Sequence, residues 1–510
     1  MPSAVRPLVI SGTLPLVLVA PHGGRRDPVR KPWSAGGVRV NDLHTAALTA
    51  ALAAATGAAA LINDAEDRND VDLNRIGEAE AQAPWFLERL GELIDTAIAR
   101  HGRATLLTIH GWNVIQPAVD LGIGCRMGPG SFALGPGAAI SPAFAATALP
   151  ALVDACGARG IAATIGARYP ARHRENLVQL FTPRHREDPR PLVRALAARA
   201  SLVDAVQLEL GIPLRWMGRW RDALVDACLG VLPMLVAPPA DAAAPQARIV
   251  PEMDGSWPGP LRLEFTSSRL CGLVGFETER ARLLLFLPEG GLVLFTGERT
   301  TEPPGRVAGL SVTPVGDRGI GVRFRGPLLR FPDTTPFLDL ECGLAGATLV
   351  DADVWLDFRP EASEGFGTVS GHVRLDAADV AVEGQGFVET EGPSGPWPRL
   401  RAALRLSARE RLHLTIGLGD ASARGVLHRG AERVPVVAAR VDLGPPEAPL
   451  DHFVLDVDLN DGAHLRLVAA AVHRLPVVRV RGATAIRVEF AACRLEGADE
   501  PAGWCEVGGL

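Results

Sequence analysis

The stretch Leu14-Pro-Leu-Val-Leu-Val-Ala-Pro-His-Gly-Gly24 decides the fold of the first half of this chain. Its apolar run, Leu14 to Ala20, is typical of a buried strand, and His22 follows that run almost at once. The glycine pair after His22 lets the backbone turn sharply and approach a ligand without side-chain obstruction. The stretch therefore predicts a core strand that ends in an imidazole, with an incidental histidine in a strand-ending turn as the alternative.

Two further apolar runs end in the same way. His110 follows the run Ala104 to Ile109, and Glu209 follows the run Leu202 to Leu208. Between the runs lie alanine- and leucine-rich helical stretches, namely Leu43 to Ala55, Pro84 to Arg100, Pro142 to Cys156, Arg190 to Ala200 and Arg219 to Leu229. This alternation predicts an α/β domain with a mostly parallel sheet that is covered on both faces. Because such sheets bind ligands at the carboxyl ends of their strands, we expect the three polar side chains to meet there.

Two imidazoles and an acid brought to one point suit a zinc ion that keeps an open coordination position. A single buried histidine is more often structural, but two at strand exits of one domain favour a metal. The third ligand is expected to be an oxygen. Asp27 lies in the loop after His22, whereas Asp42 lies at a probable helix start, where it could equally be an N-cap.

Other polar residues of the first half suit the binding and cleavage of an acidic substrate. Glu209 lies among apolar residues, which would raise its pKa and let it take a proton from water and pass it to a leaving amine. Arg75 offers a planar fork for a substrate carboxylate, and Asn74 is a neighbouring donor. Arg168 lies in a cationic loop that could line the pocket. The alternatives are a solvated glutamate, a capping and salt-bridge cluster around Arg75, and plain surface charge at Arg168.

Length and composition limit the classes of function. A chain of 510 residues, 47% hydrophobic and 22% charged, predicts a protein of two or more domains, and it has no apolar stretch of membrane-spanning length. The net charge is −6 and Lys31 is the one lysine, so no basic face for nucleic acid is expected. Seven scattered cysteines without a Cys-x-x-Cys pair indicate a reducing compartment, and we expect a cytoplasmic protein. The expected partners are a small-molecule amide with a carboxylate and, in a homo-oligomer, further copies of the chain.

A change in composition divides the chain. Residues 1–236 carry the α/β pattern, and the proline- and alanine-rich segment 237–247 reads as a linker. Residues 248–510 show short alternating strands separated by glycines, which predicts an all-β region long enough for two barrels.

The polar residues of the first half lie in six short segments, namely Pro21-His22-Gly-Gly-Arg-Arg-Asp-Pro28, Asp42-Leu-His44, Asp72-Leu-Asn-Arg75, Ile109-His110-Gly111, Asp120-Leu-Gly-Ile-Gly124 and Gln207-Leu-Glu209. In their order and spacing these segments resemble the N-formylglutamate amidohydrolase family, a branch of the zinc carboxypeptidase-like α/β folds. The resemblance implies a metal-dependent amidohydrolase with one zinc ion per chain. It also implies a substrate with an N-formyl or N-acyl amide and a carboxylate.

The same resemblance assigns roles to individual residues. It makes His22 and His110 metal ligands and Asp42 a plausible third ligand. Related poly-γ-glutamate hydrolases carry an acid shortly after a His-Gly-Gly, which would favour Asp27 instead. Arg75 would bind the substrate carboxylate and Glu209 would be the general base.

Four segments of the second half share a pattern, namely Gly371-His-Val-Arg-Leu-Asp376, Val382-Glu-Gly-Gln-Gly-Phe387, Gly425-Val-Leu-His-Arg-Gly430 and Gly503-Trp-Cys-Glu506. In these segments the second half is similar to tandem lipocalin-like proteins, a group that includes carotenoid 1,2-hydratases and Diels-Alderase-like cyclases. The similarity implies an alternative function, in which the protein binds a ligand or acts as a hydratase or cyclase through its C-terminal barrels. In place of the Asp-His pair of the hydratases, this chain has Glu389-Thr390-Glu391.

Overall fold

The structure is a computed structural model that describes residues 7–23, 41–125, 134–135, 137–237, 260–277, 279–299, 305–316, 319–334, 340–361, 365–390, 399–418, 422–443, 450–481 and 484–508. Two compact units divide the chain: the first holds the helices and strands up to residue 236, and the second holds those from residue 261 onward. Asp27 and residues 238–247 of the predicted linker lie outside the described residues.

The first unit is built on a seven-stranded sheet with the order β1-β3-β2-β4-β7-β5-β6. Its strands are β1 (Leu8–Ile10), β2 (Leu16–Ala20), β3 (Ala59–Ile62), β4 (Ala104–Trp112), β5 (Ala118–Gly122), β6 (Ala162–Ile165) and β7 (Val203–Gly211). Strand β2 runs parallel to β3 and β4, β4 runs parallel to β7, and β5 runs parallel to β6. The pairings of β1 with β3 and of β5 with β7 are antiparallel, so the sheet is mixed.

The antiparallel pairings follow from short connections. Strands β1 and β2, and strands β4 and β5, are each separated by five residues. A connection of that length cannot hold the crossover of a dozen or more residues that parallel strands require. The chain therefore reverses at both places, which the strand and helix pattern of the sequence did not predict.

Helices connect most of the other strands. They are α1 (Thr45–Thr56), α2 (Ile76–Gln82), α3 (Pro84–His101), α4 (Pro142–Ala146), α5 (Ala148–Gly157), α6 (Pro191–Ala197), α7 (Ile212–Arg215) and α8 (Arg219–Val236), with 3₁₀ turns at Leu177–Phe181, Pro183–His185 and Ala200–Leu202. The predicted helix over Pro142 to Cys156 is broken at Thr147. Pro150 explains the break, because proline has no N–H to bond the carbonyl four residues earlier and its ring clashes with that carbonyl.

Strand β2 is buried on both sides. Leu16 and Leu18 belong to one apolar cluster with side chains of α1, α5 and α8. Val17 and Val19 belong to a second cluster with side chains of α2, α3 and α6. Burial on both sides explains why this stretch is apolar throughout instead of alternating with polar residues.

The second unit is all-β apart from α9 (Leu340–Gly346). A ten-stranded sheet is formed by β8 (Leu261–Ser267), β9 (Cys271–Phe276), β10 (Arg280–Phe286), β11 (Leu292–Glu298), β12 (Arg306–Val307), β13 (Leu310–Val315), β14 (Gly319–Phe331), β15 (Thr348–Pro360), β16 (Phe366–Leu375) and β17 (Ala378–Glu389). A closed eight-stranded barrel is formed by β18 (Arg399–Arg405), β19 (Glu410–Gly417), β20 (Ala423–Arg429), β21 (Glu432–Asp442), β22 (His452–Leu459), β23 (His464–Arg481), β24 (Thr484–Leu495) and β25 (Gly503–Gly508). All of these pairings are antiparallel.

The prediction of an all-β second half is confirmed, with differences in detail. One of its two bodies is a closed barrel whose inward-facing side chains form a continuous apolar core, including Leu400, Leu414 and Leu455. The other is the ten-stranded sheet, in which β11 also pairs with β14. The likeness to lipocalins stays a prediction.

A chain of ion pairs, most of whose members are buried, joins the sheet and the barrel of the second unit. We call it the interbody ion cluster, and its members are Arg262, Glu264, Glu389, Arg401 and Glu506. Arg401 of the barrel lies 2.8 Å from Glu264 of β8 and 3.0 Å from Glu389 of β17. Arg262 of β8 pairs with Glu264 at 2.6 Å and also with Glu506 of β25. Positive and negative groups therefore alternate along the cluster.

Among the described residues, no helix combines the length and the apolarity that a membrane crossing requires.

Candidate metal centre

The three polar side chains singled out by the sequence lie on neighbouring strands. Strands β2, β4 and β7 are adjacent in the sheet, and His22 follows β2 by two residues. His110 and Glu209 lie within β4 and β7 and face each other in register. The parallel arrangement of these strands therefore brings the imidazoles and the carboxyl group to one edge of the sheet.

Asp42 lies between the two imidazoles. Its Oδ2 is 3.2 Å from Nδ1 of His22 and 3.2 Å from Nδ1 of His110, and its Oδ1 accepts a hydrogen bond from Arg68 at 3.0 Å. The three side chains of this His22, Asp42 and His110 cluster are all buried, and their ligand atoms lie within 4.8 Å of one another. We refer to them as the His–Asp–His cluster.

The alternative in which Asp42 caps a helix is wrong. The N-cap position of α1 is His44, and no side chain accepts a capping hydrogen bond there. Asp42 instead uses its main-chain oxygen, which accepts from Thr45 N at 3.1 Å and from Thr45 Oγ1 at 2.6 Å. Its carboxylate is thus left to the imidazoles.

A second carboxylate holds the far side of His22. Nε2 of His22 lies 2.7 Å from Oδ1 of Asp72, so an Nε2–H donated to Asp72 leaves Nδ1 facing Asp42. Burial alone would raise the pKa of Asp72, but the hydrogen bond from His22 and the nearby Arg68 outweigh burial and lower this pKa to about 2. Asp72 is therefore an anion that orients His22, the usual arrangement behind a metal-binding histidine.

The charges of the cluster depend on each other. Burial lowers the pKa of His22, but hydrogen bonds to Asp42 and Asp72 outweigh burial and raise it. The pKa of Asp42 lies well below its usual value because hydrogen bonds from His110 and His22 outweigh the effect of burial. His110 has a lowered pKa because of its burial. Asp42 is accordingly ionised and His110 neutral, the forms that bind a metal, whereas the raised pKa of His22 means that metal binding there would compete with a proton.

The donor set fits a divalent ion such as zinc. Ligands about 2.0–2.1 Å from zinc in a tetrahedron stand about 3.3 Å apart. That separation matches the two nitrogen-to-oxygen distances of 3.2 Å around Asp42 Oδ2. His110 is 3% exposed, and among the described residues its Nε2 has no hydrogen-bond partner. The cluster offers two nitrogens and one oxygen, which zinc accepts readily.

Glu209 lies beside the His–Asp–His cluster and has a raised pKa. Burial, and then the negative charge of Asp42, raise its pKa to about 8. Its Oε1 accepts a hydrogen bond from Nε2 of Gln207 at 2.8 Å, and Oε1 of Gln207 accepts from Nδ2 of Asn176 at 2.8 Å. Oδ1 of Asn176 in turn accepts from Val178 N at 3.1 Å. This chain fixes which end of each amide faces which partner, so Gln207 presents a donor to Glu209.

The residues predicted to bind the substrate occupy different settings. Arg75 is partly exposed, with Nη1 3.0 Å from Nδ1 of His173 and Nε 3.9 Å from Oδ2 of Asp72. Oδ1 of Asn74 accepts a hydrogen bond from Leu177 N at 3.3 Å, so Asn74 ties two loops together. The carboxylate of Asp72 thus lies between the guanidinium of Arg75 and the imidazole of His22.

Arg168 is placed by its backbone. Its N–H donates to Oδ2 of Asp120 at 2.8 Å, and the same carboxylate accepts from the main-chain N–H groups of Ala167 and Tyr169. Asp120 lies on β5 in register with Glu209. The buried carboxylate of Asp120 therefore fixes the loop that carries Arg168. Asp120 lies on the strand next to the one that carries Glu209.

Sequence reasoning missed three contributors to the site. Asp72 had a signal in the Asp-Leu-Asn-Arg segment, and Gln207 had one in Gln-Leu-Glu, but neither segment shows which side chain it faces. Arg68, which donates to Asp42, lies in a polar stretch with no distinguishing spacing. The contacts of Asp72 with His22 and of Arg68 with Asp42 join residues 50 and 26 positions apart, and contacts at such separations leave no local pattern.

Comparisons with known proteins give matches to solved structures. No family model matches the sequence, and no curated protein matches it significantly. A solved N-formylglutamate amidohydrolase from Ralstonia eutropha JMP134 is similar at a TM-score of 0.31 and 16% identity, over 45% of this chain and 97% of that one. A gene product of Agrobacterium tumefaciens is similar at a TM-score of 0.30 and 14% identity, over 46% of this chain and 92% of that one.

Proposed function

We propose that this protein is a zinc-dependent hydrolase that cleaves an N-formyl or N-acyl amide of a carboxylate-bearing small molecule. The observation that carries the proposal is the convergence of His22, Asp42 and His110, all buried, beside a glutamate whose pKa is raised to about 8. His22, Asp42 and His110 would hold one ion per chain. When bound, the ion supplies a Lewis acid for the amide carbonyl and lowers the pKa of water.

Glu209 is the proposed general base and acid. A group with a pKa of about 8 both takes and releases protons near neutral pH, which is the range in which such catalysis works best. Glu209 would remove a proton from the attacking water and deliver it to the leaving nitrogen. Gln207 holds the carboxyl group in place through its 2.8 Å hydrogen bond.

Arg75 is the proposed anchor for the substrate carboxylate. Its side chain is 38% exposed, and its carboxylate partner among the described residues is Asp72, at 3.9 Å. A guanidinium pairs with a carboxylate through two parallel hydrogen bonds, which fix orientation as well as charge. The cationic loop with Arg168 would add to the positive surroundings of the substrate.

The test uses the full chain and a panel of N-formyl and N-acetyl amino acids, each paired with its carboxamide. We expect about one zinc ion per chain. We also expect hydrolysis of the free carboxylates in preference to the carboxamides. Glu209→Gln should retain the ion and lose roughly 10²–10⁴-fold in kcat/KM. A protein that takes up no zinc, or a Glu209→Gln variant as active as the wild type, would overturn the proposal.

A further inference from the structure

Arg215 is a buried arginine to which the proposed mechanism gives no role. It lies at the end of α7, directly after the strand that carries Glu209, and it is 1% exposed. Burial lowers its pKa to about 10, although Asp42 and Glu209 act in the opposite direction. It is therefore a cation enclosed beside a group of acidic side chains.

The guanidinium of Arg215 connects the two segments that carry metal-ligand candidates. Its Nη1 donates to the main-chain oxygen of Leu43 at 2.8 Å, and Leu43 follows Asp42 directly. Its Nη2 lies 3.3 Å from the main-chain oxygen of Trp112 and 3.2 Å from Oδ1 of Asn113. Trp112 ends strand β4, two residues after His110. One planar fork thus ties the Asp42 segment to the end of β4.

Gly111 allows this approach. A Cβ at position 111 would lie 2.5 Å from Nη1 of Arg215 and 3.1 Å from Cβ of Asp42. A side chain there would push the guanidinium, the Asp42 segment or both out of place. The glycine after His110 is therefore required by the packing of Arg215 against the Asp42 segment.

We infer that Arg215 is a positioning residue of the metal centre, which fixes Asp42 relative to His110 and so sets the affinity for a divalent ion. The inference rests on the proposed function, because it takes the His–Asp–His cluster as the ion's ligands. Lysine cannot replace the arginine in this role, since its single ammonium cannot span both segments with the fixed geometry of a fork.

The experiment measures zinc affinity in the metal-free full chain by competition with a chromophoric chelator. Arg215→Lys keeps the charge and removes the fork, and we expect it to bind zinc about 10–100-fold more weakly, as other changes behind metal ligands do. Arg221→Lys is the matched control, because Arg221 also donates to a carbonyl oxygen near this site, that of Ala47 on α1 at 2.9 Å. It should bind zinc as the wild type does.

A second variant covers the case in which Arg215→Lys fails to fold. Gly111→Ala places a methyl group against the guanidinium of Arg215, so it should displace that group and also weaken zinc binding. The double variant should lose less affinity than the sum of the two single losses, because both changes disturb the same guanidinium. Thermal unfolding of each metal-free variant separates a change in affinity from a change in stability.

The outcomes are distinct. If the wild type binds zinc and folded Arg215→Lys or Gly111→Ala binds it within twofold of the wild type, the role of Arg215 is overturned while the proposed function stands. If the losses of the two single variants add in the double variant, the shared mechanism is overturned. If the wild type binds no zinc, both proposals are overturned.

Discussion

Each unit of this protein buries a cluster of ionisable side chains, and the two clusters differ in how their charges are balanced. The interbody ion cluster of the second unit alternates Arg262 and Arg401 with glutamates. In the first unit, Asp42, Asp72 and Glu209 face two imidazoles, and Arg68 pairs with Asp42. Every carboxylate of the interbody ion cluster therefore contacts a guanidinium, whereas Glu209 is hydrogen-bonded to the amide of Gln207 and Asp42 faces two imidazoles.

Two buried glutamates show the consequence. Burial raises the pKa of both, but Arg262 and Arg401 outweigh burial at Glu264 and lower its pKa. At Glu209 the largest effect after burial is the negative charge of Asp42. Both effects raise the pKa of Glu209, to about 8. Carboxylates that are paired with guanidinium groups fasten strands together, whereas carboxyl groups that face imidazoles are suited to hold a cation and to exchange protons.

The largest expected effect is the loss of the ion from the first cluster. His110→Ala removes one of the donors beside Asp42, and we expect the zinc content to fall from about one ion per chain to near zero, together with all hydrolysis. Elemental analysis of the purified protein measures the ion. His101→Ala is the control, because His101 lies at the exposed end of α3 and bonds the main-chain oxygen of Thr13. If His110→Ala retained zinc, the His–Asp–His cluster would not be the binding site of the ion. The two clusters would then not differ in cation binding.

The same chemical change should have opposite results for stability in the two clusters. Glu264→Gln removes the anion that Arg262 and Arg401 share, and although Glu506 and Glu389 remain, this should destabilise the second unit by roughly 1–3 kcal/mol. Glu209→Gln should not destabilise the metal-free protein at pH 6, because the carboxyl group it replaces is already neutral when folded. Thermal unfolding of both variants tests this. Equal destabilisation would show that both glutamates are ionised structural partners.

Stability should depend on pH through Glu209. The unfolded carboxyl group releases its proton near the usual pKa of 4.5, while the folded one keeps it until about pH 8. Folding is thus favoured at low pH, and this contribution is lost as the pH rises through that range. The stability of the metal-free wild type relative to Glu209→Gln should fall between about pH 5 and 8, by at most about 1.4 kcal/mol per pH unit. Denaturant unfolding at a series of pH values measures the slope, and a rise instead of a fall would contradict the raised pKa.

The smallest expected effect concerns the residue behind His22. Asp72→Asn weakens the acceptor that fixes the ring of His22, and we expect zinc to bind about 10–100-fold more weakly. Asp70→Asn changes an exposed aspartate of the same loop and should leave the affinity unchanged. Competition with a chelator measures both constants. Equal affinities in the two variants would mean that Asp72 only supports the loop.

Much of the first unit could be predicted because its signals are local. The run that becomes β2 is apolar throughout and those that become β4 and β7 are largely apolar, as burial on both faces demands. The antiparallel direction of β5 was missed because a strand pattern has no direction of its own. In the second half, alternation predicted strands but not which of the two bodies closes into a barrel.

The candidate site also contains residues that the sequence indicated and a choice that only the structure could make. His22, His110 and Glu209 were recognisable because each stands where an apolar run ends. The choice between Asp27 and Asp42 could not be made from spacing, since either residue lies within reach of a strand end. The structure brings Asp42 to both imidazoles, and Asp27 lies outside the described residues.

The sequence by itself determined which segments become strands and which polar side chains stand at their ends, because hydrophobic periodicity acts within a few residues. The tertiary structure alone decided that His22 meets Asp72 across 50 residues and that Arg215 meets Leu43 across 172. It also decided that Glu209 is desolvated beside Asp42, which raises its pKa. Distances and desolvation depend on how the strands cross over and pack, and no short window of sequence contains that information.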